Sequence, residues 1–154
     1  MRHTLIPIAV LLLIAGSVVA NEELRTEALS FDGTTAIAED DLTGYEIVDY
    51  SFEAKAGQFA NISMATKHLS NYFNILPPGS EGEAIYIGSI NGNQFEGILE
   101  QSGRYQVRVY LMRNAARRNE KATYRLEVIL ADPATSNGTG GRLGGLPFLW
   151  RSTM

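Results

Sequence analysis

"RYQVRVYLMRNAARRNEKATYRLEVIL", residues Arg104–Leu130, holds two runs of strict alternation on either side of a basic connection. In the first run Tyr105, Val107, Val109 and Leu111 fall on one side, and Gln106, Arg108 and Tyr110 on the other. In the second run Tyr124, Leu126, Val128 and Leu130 share a side. A side-chain period of two belongs to a strand with one buried face. The spacing therefore predicts strands over 104–112 and 122–130, paired with each other across the connection. Tyr105, Val107, Val109, Leu126 and Val128 are the expected core.

The same period extends toward the N-terminus. Tyr50, Phe52 and Ala54 alternate with Ser51 and Glu53; "KAGQ" (Lys55–Gln58) makes a turn, and a strand starts at Phe59 and runs to Met64. "LPPGS" (Leu76–Ser80) breaks the chain, because proline cannot donate to a central ladder. Ala84–Ile87 and Gln94–Leu99 are short strand candidates separated by "NGN" (Asn91–Asn93), and "QSG" (Gln101–Gly103) turns the chain again. Weaker strands are expected near Ala28–Phe31 and Thr34–Ala38. No helical stripe and no internal repeat is present. The pattern predicts an all-β protein, an antiparallel β-sandwich of about seven to eight strands.

The flanks have a different composition. Residues 1–20, "MRHTLIPIAVLLLIAGSVVA", combine a short basic start, an apolar run from Leu5 to Ala15 and small residues at Ser17–Ala20. That is the anatomy of a secretory signal peptide, too short in its apolar part for a comfortable membrane span. No Cys follows it to carry a lipid anchor. Export to the periplasm or beyond is expected, with no membrane span after cleavage and a β-sandwich domain over 21–131. Residues 132–154 open with "DPATSNGTGGRLGG", which has almost nothing to bury; a disordered Gly-rich tail is expected there.

Beyond residue 20 the chain holds all 17 Asp and Glu against 12 of the 13 Lys and Arg, a formal charge of −5. Such a balance argues against general nucleic-acid binding, which rests on phosphate neutralisation. There is no Cys, and His68 is the one His past residue 20, so neither a transition-metal site nor a Cys or His catalytic centre can be assembled. "NGNQ" and Glu39-Asp40-Asp41 lack the ligand spacing of a calcium loop. No cofactor, no metal and no enzymatic activity are expected. The charge is nonetheless polarised. Asn21–Ala54 carries ten acids and one base, Arg25, while Arg104–Arg125 carries seven bases and one acid, Glu120. Either the two segments pair across a sheet, or a basic lobe is presented to an acidic partner.

The connection itself raises the same choice. Eleven residues separate Met112 from Tyr124, whereas hairpin loops usually take about two to five. Ala115, Ala116 and the arginines allow a turn or two of helix, which would place Arg113 and Arg117 four apart on one face. Two guanidinium forks can grip carboxylates bidentately. Alternatively, one of them folds back onto backbone carbonyls and braces the loop.

Ser102–Val128 resembles the C-terminal half of the bacterial periplasmic inhibitors of g-type (goose-type) lysozyme. The likeness lies in Ser102-Gly103-x-Tyr105, in the connection Arg113-Asn114-x-Ala116-Arg117-Arg118-Asn119, and in the Tyr-containing last strand. Upstream, "LTGYEIVDYSFEAKAGQ" (Leu42–Gln58) is similar to the family's Gly-Tyr and Lys-x-Gly-Gln segment. The Ser-Gly-x-Tyr and Lys-x-Gly-Gln parts also occur in the wider pre-peptidase C-terminal-like β-sandwiches; the Arg-Asn-x-Ala-Arg connection with Gly44-Tyr45 is more specific. The resemblance implies a β-sandwich that inserts a loop surface into the cleft of a g-type lysozyme, with Tyr45, Arg113 and Arg117 as partner-binding residues. Ser70–Ser89 is longer and more apolar than the family's corresponding region. A cell-envelope binding module for glycan or protein, using Tyr72, Phe73 and Tyr86, is the alternative, and an accessory domain whose arginines brace a loop is a third.

Overall fold

The computed structural model describes residues 23–133. The expected signal segment and the expected tail past Pro133 lie outside the described residues. In chain order the strands are β1 (Leu24–Ala28), β2 (Phe31–Asp32), β3 (Thr35–Thr43), β4 (Ile47–Ala54) and β5 (Phe59–Thr66). They continue as β6 (Asn71–Leu76), β7 (Tyr86–Ile87), β8 (Gln94–Ile98), β9 (Gly103–Leu111) and β10 (Lys121–Ala131). Single helical turns, α1 (Gly88–Asn91) and α2 (Arg113–Ala116), precede β8 and β10. The strands form two five-stranded sheets, in the orders β1-β4-β9-β6-β7 and β2-β3-β10-β5-β8. The all-β sandwich is as the alternation predicts, with ten strands among the described residues rather than seven or eight. Two of them, β2 and β7, are two-residue pairings that fall at the expected candidates near Ala28–Phe31 and at Ala84–Ile87. Another, β6, was hidden in the apolar stretch before the prolines. One pairing departs from the antiparallel rule: β1 runs parallel to β4.

One expected pairing is wrong. β9 and β10 do not form a hairpin; β9 lies between β4 and β6 in one sheet, β10 between β3 and β5 in the other. The reason is burial. Tyr105, Val107, Val109 and Leu111 of β9 are buried, and so are Tyr124, Leu126 and Val128 of β10. Each strand occupies the middle of its sheet and turns its apolar face inward, so the two faces meet through the interior instead of lying side by side. Val48, Tyr50, Phe52 and Ala54 of β4, Ala60, Ile62 and Met64 of β5, and Phe73 and Ile75 of β6 complete that interior.

The sheets are also joined by a polar link. The Tyr124 hydroxyl of β10 donates to that of Tyr50 of β4 (2.9 Å), and Tyr50 donates onward to Asp40 Oδ2 (3.4 Å) at the margin. Asp40 in turn accepts from Arg25 Nη2 of β1 at 2.6 Å. Burial pushes the Tyr50 phenol up from an ordinary value of 10.0 to about 12 and raises Tyr124 as well, the latter reinforced by its hydrogen bond to Tyr50.

The acidic N-terminal half and the basic C-terminal segment meet across both sheets. On β4 and β9, Arg104 pairs with Glu53 and Arg108 with Asp49. The second pair is bidentate (2.8 and 2.7 Å), and the Asp49 carboxylate is buried beneath it. On β3 and β10, Lys121 pairs with Asp41 and Arg125 with Glu39. Cross-strand attraction thus accounts for most of the polarised charge.

Val107→Ala should lower stability by about 1–3 kcal/mol in denaturant melts, the usual range for a core truncation. Tyr50→Phe, by leaving the buried Tyr124 hydroxyl without its acceptor, should cost about 1–3 kcal/mol. The raised phenols also predict alkaline sensitivity. Unfolded tyrosines lose their protons near pH 10 while Tyr50 and Tyr124 hold theirs. The native state then binds more protons, so its advantage is complete below about pH 10 and declines as pH rises toward 12. Melting temperature measured from pH 8 to 12 should fall over that window, and less so in Tyr50→Phe.

Candidate functional site

Because β9 ends in one sheet and β10 begins in the other, the nine residues Met112–Glu120 must bridge the sandwich at one end. The bridge starts with Met112, whose N–H donates to Ser70 O (2.8 Å) and whose carbonyl accepts from the N–H groups of Ala115 and Ala116 (both 2.9 Å). Arg117 N then donates to Arg113 O at 3.0 Å, and Arg117 keeps helical dihedrals (φ −61°, ψ −27°). Ala115 and Ala116 are buried, while Arg113, Arg117 and Arg118 are exposed. Small side chains inward and long ones outward are what a single turn lying on a core requires.

Asn119 ends the turn. It takes a left-handed φ of 53°, with its N–H donating to Ala116 O (2.9 Å) and Glu120 N–H to Ala115 O (3.3 Å). This paired closure is the Schellman arrangement, in which Asn is the usual substitute for Gly. Gly44, in the β3–β4 turn, packs against it: a Cβ there would lie 2.6 Å from Asn119 Oδ1, and φ is +60°. Gly44 N–H also donates to Glu120 O at 2.9 Å. The adjacent Tyr45 is half-buried and packs against the core. The structure thus brings the Gly44-Tyr45 turn to the end of the sandwich that carries Arg113 and Arg117.

A third connection, the β5–β6 turn, reaches the same place. His68 Nε2 hydrogen-bonds Glu120 Oε2 at 2.9 Å, and Glu120 also accepts from Arg118 Nε. The Arg118 hydrogen bond, with His68 assisting, holds the Glu120 carboxyl below its ordinary range. His68 is a loop fastener. Among the described residues Arg113 and Arg117 form no ion pair, whereas Arg25, Arg104, Arg108, Arg118, Lys121 and Arg125 all do. Neither guanidinium is used to brace the loop; backbone closure, Asn119 and Glu120 do that.

The alternative aromatic surface is largely consumed by packing. Phe73 is buried and stacks on Tyr86 (centroids 5.5 Å apart), which meets Phe95 edge-on at 5.3 Å. The Tyr86 hydroxyl donates to Gly92 O and Gln94 O (2.8 and 2.7 Å). Tyr72 is the one member on the outer face, opposite Tyr110. The sequence reading missed the roles of Asn119 and of Glu120, the partner of His68. An Asn three residues beyond a short basic helix was a signal for the first; His68 and Glu120 are 52 positions apart and left none.

Among solved structures, the chain is similar to PliG of Aeromonas hydrophila, a periplasmic inhibitor of g-type lysozyme. The identity is 32% and the TM-score 0.66, over 71% of this chain and 98% of that one. PliG of Salmonella Typhimurium, also a periplasmic inhibitor of g-type lysozyme, shares the fold at 23% identity and TM-score 0.57, over 70% and 99% of the two chains. No protein-family model and no curated protein matched the sequence. With about a third of its residues shared over nearly the whole Aeromonas protein, this chain belongs to the PliG family.

Proposed function

We propose that this protein is a periplasmic inhibitor of g-type lysozyme that reaches the enzyme's cleft with Tyr45, Arg113 and Arg117. The observation that carries this reading is the charge pattern at one end of the sandwich. Arg113 and Arg117 are exposed and form no ion pair with any described residue, whereas the other described arginines, Arg25, Arg104, Arg108, Arg118 and Arg125, are all paired. Kinship with PliG supplies the class of partner.

The chemistry fits such a partner. Glycoside hydrolysis needs a cleft with carboxylates flanking the scissile bond. Two guanidinium forks four residues apart can meet those carboxylates through charge-assisted, bidentate hydrogen bonds. Tyr45, partly anchored in the core, offers a stiff amphipathic contact of the kind enriched at interface hot spots. The backbone closure at Asn119 holds the loop in shape before binding, which limits the entropy lost on docking. Inhibition is then steric and electrostatic, with no bond made or broken, and fits an exported protein. Among the described residues no helix is long and apolar enough to cross a membrane.

Added in molar excess, the protein should slow peptidoglycan lysis by a g-type lysozyme, followed as turbidity, and leave c- and i-type enzymes unaffected. Arg113→Ala with Arg117→Ala should abolish that effect, since truncating one side of a buried interfacial charge pair costs about 2–5 kcal/mol. The melting temperature of the double variant should stay within a few degrees, because exposed substitutions move stability by about 0.5 kcal/mol or less. A destabilised double variant would instead assign the arginines to the fold, and an inert wild-type protein would refute inhibition.

A further inference from the structure

The turn that joins β5 to β6, Lys67–Ser70, is fixed unusually well for four surface residues. His68 N–H donates to Thr66 Oγ1 (3.1 Å), Ser70 N–H to His68 Nδ1 (3.2 Å) and Asn71 N–H to His68 O (3.1 Å). Thr66 Oγ1 donates in turn to Thr123 O on β10 at 2.9 Å. Two further bonds tie the turn to the arginine bridge itself: Met112 N–H to Ser70 O, and His68 Nε2 to Glu120 Oε2. At the tip of this turn stands Leu69, 91% exposed, and Met112, bonded through its N–H to the next residue, Ser70, is 38% exposed.

An isolated surface leucine needs no explanation. Leu69 differs in three respects. Tight turns ordinarily use Gly, Asn, Asp, Ser or Pro at such a position. The turn is bonded at both of its flanks to the segment that carries Arg113 and Arg117, so Leu69 moves with them. A second apolar side chain, Met112, opens the bridge at the point where the two connections touch.

We propose that Leu69, supported by Met112, is an apolar contact of the same inhibitory surface, seated on the apolar wall of the lysozyme cleft next to its carboxylates. This rests on the inhibitor function proposed above. Ligand clefts are lined mainly by apolar and aromatic side chains with a few placed polar groups, so a complementary surface needs apolar contacts as well as cations. Leu69 would also exclude water around the guanidinium–carboxylate bonds, and such pairs are stronger where water is kept out. The rigid turn means that little freedom is lost when it docks.

The test compares inhibition constants for a g-type lysozyme among wild type, Leu69→Ala, Leu69→Asp, the Arg113/Arg117 double alanine variant, and Ile98→Ala. Ile98 is 57% exposed on β8 and serves as an apolar control away from the arginine bridge. Leu69→Ala should weaken inhibition about ten-fold or more, and Leu69→Asp at least a hundred-fold, in line with the transfer energy of a leucine side chain. Both should melt with wild type, and Ile98→Ala should inhibit as wild type does. If the arginine variant loses inhibition while both Leu69 variants keep it, the Leu69 proposal is overturned and the inhibitor function stands. Equal losses for Ile98→Ala, or a lowered melting temperature for Leu69→Ala, would also overturn it. If wild type does not inhibit, both fall together.

Discussion

The two central strands, β9 and β10, face one another through the interior instead of pairing edge to edge, and most of the other features of the described residues follow from that. Packed sheets stand about 10 Å apart, so a chain leaving the centre of one sheet for the centre of the other cannot use a tight two-residue turn. It needs a bridge long enough to span the interior and ordered enough to close its own backbone bonds. Met112–Glu120 meets the second requirement with one helical turn, two buried alanines and a left-handed Asn119. A bridge of that kind shows solvent an outer face whose residues are free of folding duties. Arg113 and Arg117 occupy that face.

Electrostatics reinforces the division. A segment rich in acids and another rich in bases would repel themselves if each were gathered on one element. Here β3 and β4 carry the acids, β9 and β10 carry the bases, and each basic strand lies next to an acidic one in its own sheet. Attraction between neighbours thus accompanies both central pairings, and the net negative charge of the whole chain hides a local positive end. The sum over the sequence says little about the surface that a partner would meet.

Local information in the sequence was legible, and relational information was not. Alternation identified the inward side chains of β4, β9 and β10 correctly, because the pleat alone decides which face a residue takes. It could not say which strand lies next to which, and so the natural hairpin between 104–112 and 122–130 was the wrong pairing. Strand β6 went unrecognised because Ile75 and Leu76 are both buried, which breaks the alternation just before Pro77. At the site, the spacing of Arg113 and Arg117 could be read directly, and a family resemblance marked Tyr45. The fasteners could not be read, since His68 and Glu120, or Gly44 and Asn119, acquire meaning only when distant turns converge.

The strand order also governs how the domain can form. β9 and β10 are the last two strands among the described residues, and each is the hub of its sheet. Without them the remaining strands can make only isolated pairs: β1 with β4, β2 with β3, β6 with β7, and β5 with β8. Two-stranded ribbons are marginal in water, so synthesis of the first hundred residues yields no stable nucleus. Assembly must wait for the hubs and then proceed nearly all at once, through contacts as remote as Tyr50 with Tyr124, 74 positions apart. High separation between contacting residues slows folding, and it leaves strand edges open to intermolecular pairing meanwhile. That delay means that the polypeptide stays unfolded until nearly all of the domain has been synthesised.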